Sequence, residues 1–282
     1  MSVLNRWFDF LDLLRVDRWF NKLEMTFFCG ALILFLNPVD DPFKTFAFFT
    51  VWNLVFYSYL YLINSVCERE EDLKGGKDIY YGFSHSFATW TTVLLGIGTL
   101  ALSFLPMAMD SAIIGILAFI AATVYSLEPF HTKRRGMWGV FNGPLYQRVF
   151  PFLFLVTLLE GAPLVAVCFL TGWLFLGSFE VFLLHELKDY KADLAAGVQT
   201  YVVKVGDRRA HQLRNSVHLF SIAYAFGAWA VFEPYAAFFI MVAMWMFKFK
   251  NGHVPYRIQP LPEDEAEQAR RSANVAPIAA SS

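Results

Sequence analysis

Eight long apolar runs, separated by short polar connections, constrain the fold of this chain more than any other feature. They cover residues 19–37, 43–65, 85–106, 110–127, 144–160, 162–185, 211–232 and 234–249. A helix needs roughly 20 mostly apolar residues to cross a bilayer. The runs also lack the period-two alternation that is typical of strands. The sequence therefore predicts an all-α, polytopic transmembrane helical bundle with about eight or nine spans.

The composition excludes several other classes of protein. Hydrophobic residues make up 57% of the 282 residues and charged residues only 17%, whereas a soluble domain has about 25% charged residues. The net charge of −1, without a long basic stretch, argues against binding of nucleic acid. The three cysteines are scattered and odd in number, so the sequence predicts no disulfide framework.

The chain divides into three parts. Residues 1–22 interleave charged and aromatic residues, which favours a helix lying in the membrane interface, although a simple polar lead-in to the first span fits the same pattern. Residues 23–252 form the predicted transmembrane domain. Residues 253–282 are polar and end in Ala and Ser, which predicts a disordered tail.

The distribution of Lys and Arg predicts the orientation. With eight spans, one side holds both termini and residues 66–84, 128–143 and 186–210, and every Lys and Arg except Lys44 is assigned to that side or its helix ends. Cytoplasmic loops carry such an excess of positive residues. We therefore expect an integral protein of the plasma (inner) membrane whose charged side faces the cytoplasm.

Two acidic clusters follow the second and the sixth apolar run, on the same predicted side. Their members recur at intervals of three or four residues, so each set shares one helix face. They are Asn64, Glu68 and Asp72 in the first cluster and Glu186, Asp189 and Asp193 in the second. Oxygen ligands favour Mg²⁺, which binds few carboxylates together with substrate phosphates. A solvated helix end with Glu–Lys pairs explains one such cluster, but two with matching spacing favour a metal–diphosphate site.

Cations lie on the same side. The segment from Tyr125 to Gly136 contains Lys133, Arg134 and Arg135, which can neutralise the charge of a diphosphate. Lys and Arg in such loops also serve as topological anchors without any chemistry. Of these cations, Lys133 is the one for which the functional role is favoured.

These motifs resemble those of the UbiA superfamily of intramembrane prenyltransferases. That family carries two acidic motifs, NxxxDxxxD and DxxDxxxDxxxGxxT, and a "YS…K/R" segment after its fourth helix. The corresponding residues are Asn64-x3-Glu68-x3-Asp72, Glu186-x2-Asp189-x3-Asp193-x3-Gly197-x2-Thr200 and the segment from Tyr125 to Lys133, Arg134 and Arg135; Arg15 and Trp19 match the residues before the family's first helix. Glu68 and Glu186 depart from the family pattern by replacing aspartates.

The resemblance implies a site and a reaction. Mg²⁺ would be bound by Asn64, Glu68, Asp72, Glu186, Asp189 and Asp193, and the substrate diphosphate by Lys133, Arg134, Arg69, Lys77 and Arg15. The catalytic set would be Asp72, Asp189, Asp193 and Lys133. The bundle would enclose a central apolar cavity for the isoprenyl chain, surrounded by membrane lipids.

Three functions compete. The leading hypothesis is a Mg²⁺-dependent transferase that moves a prenyl group from its diphosphate to an acceptor, which is aromatic or a lipid. The second is a terpene cyclase on the same scaffold, which would need no acceptor. The third is a transporter, but its ionisable groups should lie near the bilayer midplane on broken helices, whereas here they cluster at one edge.

Overall fold

The computed structural model describes residues 3–69, 80 and 83–252, and within these residues the chain is almost entirely helical, without a strand. This confirms the predicted all-α class. The helices are α1 (Val3–Leu13), α2 (Val16–Leu36), α3 (Pro42–Cys67), α4 (His85–Phe104), α5 (Met109–Ser126), α6 (Met137–Pro144), α7 (Phe150–Leu158), α8 (Leu164–Ala196), α9 (Tyr201–Val205), α10 (Asp207–Ala225), α11 (Ala228–Val231) and α12 (Pro234–Gly252). A 3₁₀ turn, Thr132–Arg134, precedes α6, and a π turn, Leu145–Val149, joins α6 to α7.

Each predicted apolar run contains helix, but the bounds of the fifth, the sixth and the seventh run differ clearly. The helix of the sixth run, α8, continues to Ala196, beyond the predicted end at residue 185. The fifth run starts at residue 137 instead of 144, because α6, the π turn and α7 continue one another from Met137 to Leu158. The seventh run is divided into α10 and α11, and α10 begins at Asp207. By length and composition, α3, α4, α5 and residues Leu164–Lys191 of α8 are able to cross a membrane.

The centre of the bundle is aromatic. Helix α3 packs against α4, α5 and α7 and buries Trp52 and Phe56 completely. The Trp52 ring stacks on Phe154 of α7 with 4.1 Å between the ring centroids. Its indole Nε1 donates to Ser103 Oγ of α4 at 2.9 Å. The buried polar group is thus satisfied, which an apolar interior requires.

Helix α1 is separate from the bundle helix that follows it. Arg15, with φ +56°, lies between α1 and α2. Leu13 is buried in a small cluster with Leu62 of α3 and Ala88 of α4. The opposite face exposes apolar residues, namely Trp7, Phe8 and Leu11. An exposed apolar face suits the predicted position in the membrane interface, which stays a prediction.

Candidate functional site

The first acidic motif lies where α3 ends. The helix stops at Cys67, and Glu68 follows as its C-cap with φ −99°. Asn64 therefore lies within α3, whereas Glu68 lies just beyond its end. Asn64 Nδ2 donates to Glu68 Oε2 at 3.0 Å, and Ser126 Oγ at the end of α5 donates to Asn64 Oδ1 at 3.2 Å. Asp72, predicted as a metal ligand and catalytic residue, lies outside the described residues.

Glu68 is enclosed by the loop that follows α5. Its side chain is only 5% exposed. Lys133 Nζ lies 2.6 Å from Glu68 Oε2, and His131 Nε2 lies 3.6 Å from Oε1. His131 is itself buried, and its Nδ1 lies 3.1 Å from Glu128 Oε1. No role for His131 is predicted from the sequence, because a lone histidine in a loop carries no spacing signal.

The second acidic motif lies on the last turns of α8 and contacts the short helix α9. Glu186 is buried, and its Oε2 accepts from the backbone N–H of Val202 at 3.2 Å. Asp193 is half-buried and Asp189 is exposed. Gly197, with φ +72°, ends α8 in the left-handed conformation that favours glycine. The chain then turns back at once, which brings α9 beside the motif.

The loop after α5 joins the two motifs. Gly136 pairs with Thr200 in an isolated parallel bridge, and Thr200 is buried directly before α9. Gly136 has φ +64°, and an added Cβ would lie 3.1 Å from Lys204 Cδ. Both constraints favour glycine at this position. The bridge ties the segment that carries Lys133 to the segment that follows the second motif.

Lys133 stands electrostatically between the motifs. Burial raises the pKa of Asp193, and the nearby charges of Asp189 and Glu68 add to this effect. Lys133 acts in the opposite direction, but the pKa still rises to about 6. Burial also acts to raise the pKa of Glu68, but the neighbouring His131 and Lys133 bring it below its usual value. Glu68 of the first motif is therefore paired with Lys133, whereas Asp193 of the second motif retains repulsion from neighbouring carboxylates.

The other predicted diphosphate ligands have different surroundings from those of Lys133. Arg134 Nη1 lies 3.6 Å from Glu128 Oε1. The guanidinium carbon of Arg69 lies 6.0 Å from the centroid of the Tyr80 ring, which is within cation–π range. Arg15 lies in the turn between α1 and α2. Lys77 lies outside the described residues. Among the described cations, Lys133 thus contacts Glu68 of the first motif and acts electrostatically on Asp193 of the second.

Aromatic rings line the membrane side of the site. Tyr125 of α5 lies within electrostatic reach of Glu68 and Glu186. Its ring is 5.0 Å from Tyr146 in the π turn and 6.3 Å from Phe182 of α8, centroid to centroid. Ring faces such as these can stabilise a cation in an apolar interior.

The donor set has the chemistry that a hard divalent cation requires. Both motifs offer carboxylate oxygens, and the first adds the amide oxygen of Asn64. Glu68 Oε1 is buried without a hydrogen bond from the described residues. Oxygen donors of this kind suit Mg²⁺, which keeps several waters and shares its coordination with substrate phosphates. Within the described part of the chain, no three acidic, His or Cys side chains converge as a metal cluster.

Comparison with known proteins assigns the family. The sequence model of the UbiA prenyltransferase family matches residues 25–255. The chain belongs to this family. It is therefore a membrane enzyme of the prenyltransferase type, as its motifs predict. No curated protein sequence matches the chain significantly.

Solved structures of UbiA homologues share the fold. A UbiA homologue from Archaeoglobus fulgidus bound to DMAPP and Mg²⁺ superposes with a TM-score of 0.72 at 15% identity, covering 94% of this chain and 95% of that one. The same homologue bound to GPP and Mg²⁺ gives 0.71, with the same identity and coverage. A digeranylgeranylglyceryl phosphate synthase gives 0.66 at 15% identity, covering 96% of this chain and 94% of the other.

Proposed function

We propose that this UbiA-family protein is a Mg²⁺-dependent prenyltransferase, which ionises an isoprenyl diphosphate and transfers the prenyl group to an acceptor. The observation that carries the proposal is the meeting of both acidic motifs at Lys133, which bonds Glu68 and acts on Asp193. Homologues of the same fold bind DMAPP or GPP together with Mg²⁺, which supports the same substrate class here. The site would face the cytoplasm from the plasma (inner) membrane.

The residues have distinct parts in this proposal. Mg²⁺ would be held, directly or through water, by Asn64, Glu68, Asp72, Asp189 and Asp193, and Glu186 completes the second motif. When bound, Mg²⁺ stabilises the negative charge that develops on the departing pyrophosphate.

The cations of the chain act on the same charge. Lys133 and Arg134 contact the diphosphate, and Arg69, Lys77 and Arg15 supply further positive charge around it. The position of Lys133 between the motifs supports its place in the catalytic set with Asp72, Asp189 and Asp193. Preorganised cations of this kind stabilise a departing anion without rearrangement at the moment of reaction.

The proposed reaction is a substitution at C1 of the prenyl chain. The C1–O bond breaks, and its electron pair leaves with pyrophosphate. A nucleophilic atom of the acceptor then bonds to C1 and releases a proton. Tyr125, Tyr146 and Phe182 lie beside the carboxylates, where their rings exclude water from the allylic cation and stabilise it.

The test uses the purified full-length protein in detergent. It is incubated with Mg²⁺ and geranyl, farnesyl or geranylgeranyl diphosphate, first without an acceptor and then with aromatic or lipid acceptors. We expect pyrophosphate release that requires both Mg²⁺ and an acceptor. A cyclic terpene as the dominant product without acceptor would replace the transferase by a cyclase. No Mg²⁺-dependent release under any condition would refute both.

A further inference from the structure

A buried ion-pair network connects α8 to α10 away from the site described above. Glu180 of α8 is only 2% exposed. Its Oε1 lies 3.2 Å from Arg214 Nη2 and 2.9 Å from His218 Nδ1. Arg214 and His218 are four residues apart and therefore project from the same face of α10. Ionisable groups inside a membrane domain are costly, and those that occur are usually paired and functional.

The network has a defined place in the antiparallel contact of the two helices. Towards the charged edge of the bundle, Leu187 of α8 shares a buried cluster with Ala210 of α10. At the other end, Tyr224 Oη donates to the carbonyl of Phe169 at 3.1 Å. Glu180 faces α10 between these two contacts. The contacts thus follow one another along α8 in the reverse of their order along α10, which is the pattern of two antiparallel helices in a single register.

Apolar contacts alone specify this register weakly, because a shift by one turn replaces one apolar neighbour by another. The same shift, about 5.4 Å, would take Glu180 away from Arg214 and His218. An unpaired buried carboxylate is strongly destabilising. The network therefore penalises sliding of α8 along α10, which is the best-attested use of buried ion pairs.

The register matters for the site because both partners continue into it. Helix α8 carries Glu186 six residues beyond Glu180, and Asp193 follows seven residues, about two helical turns, later. Helix α10 follows α9 after Gly206. The backbone N–H of Val202 in α9 holds Glu186. A slip between α8 and α10 would therefore displace the second motif relative to the backbone group that orients it.

We propose that Glu180, with Arg214 and His218, is a positioning residue for the second acidic motif. It sets the register of α8 against α9 and α10 and thereby the geometry in which Glu186 and Asp193 meet Mg²⁺ and the diphosphate. This rests on the proposed function for the identity of the ligand, but the register claim itself concerns binding and not turnover.

The experiment compares Glu180→Gln with the full-length wild-type protein in detergent. We measure binding of inorganic pyrophosphate in the presence of Mg²⁺ by calorimetry, and then KM and kcat for geranyl diphosphate. Loss of the pairing charge should weaken Mg²⁺-dependent pyrophosphate binding about tenfold, as removal of an orienting partner of a metal ligand does. KM should rise by a similar factor, and kcat should change less.

Two matched variants separate positioning from general damage. Glu160→Gln removes a carboxylate from the exposed connection between α7 and α8 and should leave binding unchanged. Glu180→Asp keeps the charge on a shorter side chain and should recover most of the binding. This variant therefore tests the proposal even if Glu180→Gln folds poorly. A variant of Glu180 that unfolds at lower temperature but binds Mg²⁺–pyrophosphate like the wild type would overturn the proposal.

The proposed function fails in a different way. If the wild type binds Mg²⁺–pyrophosphate but converts no prenyl diphosphate, the transferase is refuted, while the binding ratio of Glu180→Gln to wild type still decides the positioning role. If the wild type shows no Mg²⁺-dependent binding of pyrophosphate, both proposals are overturned.

Discussion

The two acidic motifs reach the same site by different physical means. The Glu68 side chain is held by other side chains, with Lys133 Nζ at 2.6 Å and Asn64 Nδ2 at 3.0 Å. Glu186 is held by the backbone of α9, and Asp193 keeps a pKa raised to about 6. In the first half of the site the Glu68 carboxylate is thus paired with a cation of the protein, whereas in the second half Asp193 remains near the like charge of Asp189. Of these two carboxylates, Asp193 has the greater need of an added cation.

The largest effect should follow from removing a carboxylate that is proposed to bind Mg²⁺. Asp193→Ala should lower Mg²⁺-dependent pyrophosphate release by about 10³-fold, because the developing charge loses its stabilisation. Asp72→Ala should do the same, and both variants should still insert into membranes. The control Asp110→Asn removes an exposed carboxylate at the start of α5. Normal release by both alanine variants would remove the metal assignment.

The next effect concerns Lys133, the cation that is paired with Glu68. Lys133→Met should lower turnover by about 10²-fold, since one charge-stabilising group is lost, and should also destabilise the protein by leaving Glu68 buried without this cation. Thermal unfolding and initial rates measure the two effects. Lys44→Met, at an exposed position, is the matched control. Equal rates for Lys133→Met and Lys44→Met would exclude Lys133 from the catalytic set.

The pH dependence of stability should have opposite signs in the two halves. Glu68 has a lowered pKa in the folded protein, so its stabilising contribution is present at neutral pH and is lost as pH falls through the acidic range. Asp193 has a raised pKa of about 6, so the folded protein holds this proton more tightly than the unfolded chain. Its contribution therefore falls as pH rises from about 4 to above 6.

Thermal unfolding without metal ions tests this difference. Asp193→Asn should remove the loss of stability between about pH 4 and 6, and Mg²⁺ should raise the unfolding temperature of the wild type more at pH 7 than at pH 5. The expected shift is about 2 °C, the size that 1 kcal/mol gives in a chain of this length. If Mg²⁺ stabilises the wild type and Asp193→Asn equally at pH 7, Asp193 does not bind the ion.

The smallest effect should be that of Gly197→Ala at the end of α8. An added Cβ meets nothing within 4 Å, so the cost is only the left-handed backbone conformation, about 1 kcal/mol. The unfolding temperature should fall by at most about 2 °C, and the fall for Gly197→Asn should be smaller. A much larger loss would mean that the turn after the second motif is strained in a way that the contacts do not explain.

The sequence predicted the bundle and the meeting of the motifs because both depend on regular spacing. Apolar runs long enough to span a bilayer gave the helices, and the intervals of three and four residues identified Glu68 and Asp193. The UbiA resemblance is confirmed by the family match over residues 25–255. The individual metal and diphosphate ligands remain proposals.

The sequence did not reveal what depends on contacts between distant segments. His131 approaches Glu68 only because the loop after α5 folds back. Two of the cations assigned to the charged side or its helix ends make contacts inside the bundle that the sequence did not reveal. Arg148 is buried in the π turn and donates to the carbonyl of Lys22, and Arg214 pairs with Glu180. A glutamate within an apolar run, and Arg and His four residues apart in another, were the available signals.

The length of α8 has a consequence for how a lipid-like substrate arrives. Its 33 residues extend about 50 Å, whereas the hydrocarbon layer is about 30 Å thick. We expect the surplus of about 20 Å, little reduced by an average tilt, to place Asp193 at the level of the lipid headgroups. Under the proposed function, the headgroup of an amphiphilic substrate in the same leaflet would lie at that height. Such a substrate would then reach the carboxylates by moving sideways, without exposing its tail to water or burying its headgroup in the hydrocarbon layer.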